Sequence, residues 1–392
     1  MIIVRIMRAF GNIVLVCFAL AVLGTFFRAI PLLGEGGPSL ISPFGPWVVI
    51  LSVAGAIWQF RRWLTTRSNR TFAMLGVAAI AAIGTTGILA TQIAVARANG
   101  AGIDLAQALL ARSQADTNLP VTTMIYGKHD GQPLPLDIYR PTARQGRALA
   151  PVLVYVHGGG WGAETLKQRQ ADYRWFVERG YLVISLEYTL STEMRPTWNI
   201  AQPQLGCAMT WVAGNARRFG GDPARLGLWG ESAGGNLVLN LSYMANKGTL
   251  KSSCGGTPPR VAATIALYPV VDVARMHRNP RIFVGIFGRM MTERYTGGSP
   301  ERFPDRYAYV SPQTHISRTA PPTLLIVPDA DHLVVPAAAH EFVGKAQAAG
   351  LDARLIRMPF AEHGFDLRSG SIGNQLVRQA IHRFLEEHGL AP

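Results

Sequence analysis

The sequence predicts an α/β fold, a mostly parallel central sheet flanked by helices, preceded by three transmembrane helices. Two observations carry this. Uncharged apolar stretches fill roughly the first hundred residues. From about Val121 the pattern turns to short β-branched runs alternating with longer helical stretches, the rhythm that builds a parallel sheet through right-handed crossovers. Composition supports the division. The 392 residues are 48% hydrophobic and 16% charged, whereas about 25% charged is usual in a soluble domain, and the deficit sits in the apolar first part.

Net charge is +14, but the basic residues are scattered singly. Beside a bilayer such an excess means attraction to anionic membrane lipid and argues against a nucleic-acid partner. Three cysteines without a C-x-x-C spacing exclude a disulfide scaffold and give no sign of zinc or redox chemistry. No metal or organic cofactor is expected.

The apolar stretches are Ala9–Phe27, Leu40–Phe60 and Phe72–Val95. About 20 residues rising 1.5 Å each cross a hydrocarbon core of about 30 Å. Trp47 and Trp58 lie near the ends of the second stretch, where amphipathic rings prefer to sit. The third is rich in Ala, Gly and Thr, which suits helix–helix packing more than lipid contact. Two alternatives stand beside three spans: a cleaved signal peptide behind Arg5 and Arg8, or a buried hairpin formed by the second and third stretches. Arg61, Arg62, Arg67 and Arg70 crowd the loop between the second and third spans, which makes that loop and the N-terminus cytoplasmic. Everything after Val95 then lies outside the cytoplasm. The domain reading is a membrane region at 1–96, a connector at 97–120 and an α/β domain at 121–392. In the connector, Ile103, Leu105, Leu109 and Leu110 are expected on one apolar face of a short helix.

Val121–Tyr126 and Leu134–Tyr139 read as strands around the Asp130-Gly131 turn. Pro151–Val156, Tyr181–Leu186 and Leu226–Trp229 are apolar runs of the kind buried on both faces of a sheet. Helices are expected near Gln168–Arg179, Gln202–Phe219 and Asn236–Asn246. Gly230-Glu231-Ser232-Ala233-Gly234 is G-x-S-x-G set between a strand and a helix. A nucleophile on so tight a turn needs small neighbours while its own backbone is strained. His157-Gly158-Gly159-Gly160-Trp161 follows another strand, and consecutive glycines let backbone N–H groups point at an oxyanion. His157 reads as a residue that fixes this loop.

HGGGW followed by GESAGG resembles the carboxylesterases and lipases of the α/β-hydrolase superfamily, in the branch of hormone-sensitive-lipase-like and feruloyl-esterase-like enzymes. The resemblance runs from about Val121 to the C-terminus. It implies a sheet of about eight strands and the chain order nucleophile, acid, base. Ser232 is then the nucleophile, and Gly159, Gly160 and Ala233 supply the oxyanion hole. Asp331, after the strand Thr323–Val327, matches the family's acid, with Asp329 as a rival because Val327-Pro328 stands where His-Gly is common. His363, after the strand Ala353–Met358, matches the base in H-G-F. His332, His340, His382 and His388 read as surface residues. A cap segment is expected at about 273–310, where Ile282–Met291 is either a lid or acyl-binding wall or an ordinary packed helix.

The implied activity is ester hydrolysis on a small-molecule or lipid-derived ester. An amidase or peptidase on the same fold is the alternative, and an inactive membrane-tethered binding module the reading from another class. In an exported domain Cys207 and Cys254 form the one available disulfide pair, against two unrelated thiols.

Overall fold

The structure, a computed structural model, describes residues 2–116, 118–142 and 148–392. The chain divides into two compact units. The first comprises Met1–Arg112 with Pro328–His332 and Arg357–Val377. The second comprises Ser113–Val327, Leu333–Ile356 and Arg378–Pro392.

The first unit opens with α1 (Ile2–Phe26), α2 (Leu33–Thr66) and α3 (Asn69–Ala98). All three are long and apolar enough to cross a membrane. They pack through small residues, as expected where lipid offers no hydrophobic drive. A Cβ on Gly55 of α2 would come 2.6 Å from Leu15 of α1, and one on Gly84 of α3 would come 2.3 Å from Val22. α2 begins seven residues before the predicted stretch and carries Pro38, Pro43 and Pro46 within it. Each proline forfeits a backbone hydrogen bond, a loss tolerated in spanning helices because neighbours re-satisfy the freed groups.

A short α4 (Leu105–Leu109) follows, capped by Asp104, whose carboxylate accepts the Ala106 and Gln107 amides. Ala108 is buried, Ile103 and Leu109 are half-buried, and Leu105 and Leu110 are exposed.

The second unit is built on a sheet of eight strands among the described residues, in the order β1-β2-β4-β3-β5-β6-β7-β8. β1 (Thr122–His129) and β2 (Gln132–Tyr139) form an antiparallel hairpin, and β2 also pairs antiparallel with β4. The pairings from β4 through β3, β5 and β6 to β7 are parallel. β3 (Ala150–Val156), α5 (Gln170–Val177), β4 (Leu182–Leu186), α6 (Ala201–Asn215), β5 (Gly221–Glu231) and α7 (Ala233–Lys247) supply the expected alternation. Every residue of β3 and β4 is buried, as two covered faces require. β6 (Ala263–Leu267) leads to α8 (Val273–His277), α9 (Ile282–Thr296) and α10 (Pro304–Val310). β7 (Thr323–Pro328), α11 (Pro336–Ala348), β8 (Ala353–Met358) and α12 (Ile372–Glu387) complete the chain.

Cys207 on α6 and Cys254 beyond α7 are joined as a disulfide, with Cα atoms 5.4 Å apart. Cys17 is the free cysteine. Maleimide titration of the unfolded, unreduced protein is expected to find one thiol per chain, rising to three after reduction, the full cysteine count. Three thiols before reduction would show that the purified protein lacks the bond.

Candidate active site

In the second unit, Ser232 sits between β5 and α7 with φ 51° and ψ −118°. This conformation is costly for a side-chain-bearing residue and persists only where the surroundings enforce it. The flanking glycines are what permit the turn. A Cβ on Gly230 would lie 2.5 Å from the Gly234 carbonyl oxygen, and one on Gly234 would lie 2.1 Å from that of Val156. The Ser232 amide donates to the Leu267 carbonyl at 2.9 Å, fixing the elbow to the end of β6.

Beneath the elbow is a buried ionic network. Glu231 is 2% exposed and accepts from the Tyr155 hydroxyl at 2.7 Å and the Tyr268 hydroxyl at 3.0 Å. Arg169 pairs with Glu231 and also with Asp172, the latter at 3.1 Å. Arg378 pairs with Asp172 in turn, and Gln114 donates to the same carboxylate at 2.9 Å. Burial, with the neighbouring Tyr173 phenol, pushes the Tyr155 hydroxyl well above its ordinary range, so it remains a donor to Glu231.

The glycine loop after β3 is equally constrained. Gly159, Gly160 and Trp161 are all left-handed, at φ 82°, 58° and 59°. His157 is fully buried, bonds Glu187 at 2.9 Å through Nε2 and stacks on Tyr188 at 4.5 Å. The Tyr188 hydroxyl donates to the carbonyls of His157 and Gly158. Trp161 stacks on Tyr295 at 4.4 Å, and its indole N–H donates to Asn236 of α7 at 3.3 Å. His157 is therefore a loop-fixing residue. From α9, Met291 reaches Gly160, where an added Cβ would meet its sulfur at 2.6 Å. The outer face of α9 leaves Ile282, Phe283, Ile286, Phe287 and Met290 exposed.

In the first unit, the His363 ring Nδ1 lies 2.7 Å from Asp331 Oδ2. Asp331 is buried, whereas the His363 side chain keeps 19% of its surface. Glu362 joins the two segments. One carboxylate oxygen accepts the amides of His332 at 2.8 Å and His363 at 3.0 Å, and the other bonds the His332 ring. Asp329 is committed elsewhere, accepting Arg357 at 2.9 and 3.1 Å. The helices hold the same segments. Arg28, just past α1, donates to the Asp329 carbonyl at 2.7 Å and lies over the Phe360 ring, and Gln92 of α3 donates to the Pro359 carbonyl at 3.0 Å.

The BD-FAE family model matches residues 136–345, more than half of the chain. The chain belongs to the BD-FAE family. Esterase LipQ of Mycobacterium tuberculosis is 29% identical over 256 residues, covering 64% of this chain and 58% of that protein. The probable carboxylic ester hydrolase LipM of the same organism is 29% identical over 267 residues, covering 67% and 60%. The chain thus spans less than two thirds of the length of these curated relatives. Thermogutta terrifontis esterase 2 phosphonylated by sarin matches with a TM-score of 0.60 at 23% identity, covering 70% of this chain and 97% of that one. The fold is the α/β-hydrolase fold.

Within the BD-FAE match lie the glycine loop, the elbow and Asp331, while His363 lies beyond its end. One sequence reading is corrected: His332 is 4% exposed, not a surface residue. Its burial is sustained by Glu362, thirty residues further on, which satisfies both its amide and its ring. Arg169, Asp172, Arg378, Glu362 and Arg28 were missed as site-supporting residues. The one available signal was Glu231, since a carboxylate that ends the buried apolar run 226–230 needs a buried cation.

Proposed function

We propose that this protein is a membrane-anchored serine carboxylesterase. The observation that carries the reading is Ser232 held at φ 51° on a strand–turn–helix elbow. In the proposed reaction His363 takes the Ser232 proton as Oγ attacks the ester carbonyl, forming the C–O bond of a tetrahedral intermediate. Backbone N–H groups of Gly159, Gly160 and Ala233 hold its oxyanion. The C–O bond to the alcohol breaks, and the alcohol leaves with the proton from His363. Water then repeats the sequence on the acyl-enzyme, releasing acid and free Ser232. Asp331 keeps the imidazole in its working tautomer and stabilises the imidazolium. The similarity to LipQ, an esterase, and LipM, a probable carboxylic ester hydrolase, supports the ester as substrate class.

A series of p-nitrophenyl esters of increasing acyl length, run beside the matching anilides, tests this. Ester hydrolysis with little anilide cleavage is expected, and preferential anilide cleavage would make it an amidase. Met291 beside Gly160 and the apolar α9 support an acyl-binding wall there.

The proposal places the catalytic part outside the cytoplasm. Three candidate spans and the arginines at 61, 62, 67 and 70 support it. A phosphatase fused after residue 120 should therefore be active, and an inactive fusion with an active cytoplasmic reporter would reverse the topology.

A further inference from the structure

At one end of the three-helix bundle is a cavity of about 360 Å³, inside the roughly 300–1,000 Å³ range of ligand clefts. Arg5 and Arg8 enter it from the first turns of α1, Arg62 from the end of α2 and Arg70 from the start of α3. Asn12, Gln59, Ser68 and Thr71 line it as well, and no acidic residue does. Among the described residues none of these four arginines is paired with a carboxylate. Glu35, the sole acidic residue before Asp104, stands at the opposite end of α2. At 1.5 Å per residue the separation along the helix is about 40 Å, several Debye lengths at physiological salt. Four like charges around one cavity repel one another, so the arrangement is stabilised by an anion of external origin.

The polar lining narrows the chemistry. Gln59 is fully buried, donates to Asn12 at 2.7 Å and leaves its Oε1 without a partner among the described residues. A ligand with acceptor oxygens for guanidinium groups and a hydroxyl donor for Gln59 answers both requirements. Guanidinium forks match phosphate oxygens in bidentate geometry. Basic pockets between spanning helices at the membrane surface take phosphate headgroups.

We propose that this cavity is a phosphate site, filled by the headgroup of an anionic phospholipid or by free phosphate. It is distinct from the ester-cleaving residues and does not depend on that assignment.

The full chain, purified in detergent and delipidated, is titrated with phosphatidylglycerol, phosphatidylcholine or inorganic phosphate while thermal unfolding is followed. A ligand that binds only the folded state raises the midpoint saturably. A rise with phosphatidylglycerol alone identifies the lipid headgroup, and an equal rise with inorganic phosphate identifies the free ion. The R8Q/R70Q variant should bind about thirtyfold more weakly. R61Q/R67Q removes the same charge at positions outside the cavity and should stay within about twofold of the parent. If R8Q/R70Q does not fold, Arg8→Gln alone should still lose about fivefold. Equal losses in the two double variants would mean diffuse attraction and overturn the site. An equal response to phosphatidylcholine, or none to either phosphate source, would overturn it too.

Discussion

Asp331→Asn should lower kcat on a p-nitrophenyl ester by about 10⁴, the loss that follows when a triad acid becomes its amide. The carboxylate faces His363 Nδ1 at 2.7 Å. An acceptor there holds the proton on Nδ1 and leaves Nε2 with the lone pair that takes the serine proton in the proposed mechanism. An amide of the same shape offers an N–H to Nδ1, which drives the ring proton to Nε2 and removes the base. Asp329→Asn is expected to do far less. Its partner Arg357 is 57% exposed at the side chain, and ion pairs exposed in this way contribute only about 0–1 kcal/mol. Ser232→Ala, run alongside, should take no label from a fluorophosphonate probe. Circular dichroism checks that each variant is folded. A larger loss at Asp329→Asn would transfer the acid role to that residue, and undiminished labelling of Ser232→Ala would name a different nucleophile.

What could be read from the sequence follows the range of the interactions involved. β3 and β4 were legible because burial on both faces leaves a continuous apolar run, and the elbow because its glycines must be contiguous with the serine. β6, the five residues Ala-Thr-Ile-Ala-Leu, was not read, since so short a run of mostly small residues carries no period. α2 starts before the apolar stretch at Leu40 because residues 33–39, with Glu35, Gly36, Gly37 and Pro38, are helical without being apolar. His332 was misread because its burial depends on Glu362. Arg28 was invisible as a support of the acid turn, because the carbonyl it holds lies 301 residues away. Local pattern encodes elements and motifs, whereas the groups that hold a motif in place arrive from distant segments with no spacing to announce them.

The network under the elbow should be as consequential for stability as Asp331 is proposed to be for catalysis. Arg169 is wholly buried between Glu231 and Asp172, and Arg378 supplies the second cation. Among the described residues, two carboxylates and two guanidinium groups pair in this network. Arg169→Met keeps the bulk but strands Glu231, which among the described residues keeps the neutral donors Tyr155 and Tyr268. Removing one partner of a buried pair costs about 3–5 kcal/mol, mostly as the penalty on the charge left behind. That origin has a testable signature. Stranded in a dry site, Glu231 would bind its proton more tightly folded than unfolded. The variant's deficit should therefore grow as pH rises through the ordinary carboxylate range and shrink below it. Adding Glu231→Gln to Arg169→Met removes the stranded charge and should recover most of the loss, whereas a packing defect would persist. Urea unfolding of the two variants and the parent at pH 5 and pH 8 reads all of this. A deficit that is the same at both pH values and survives in the double variant would mean that Arg169 fills space under Ser232 without carrying the charge of its neighbour.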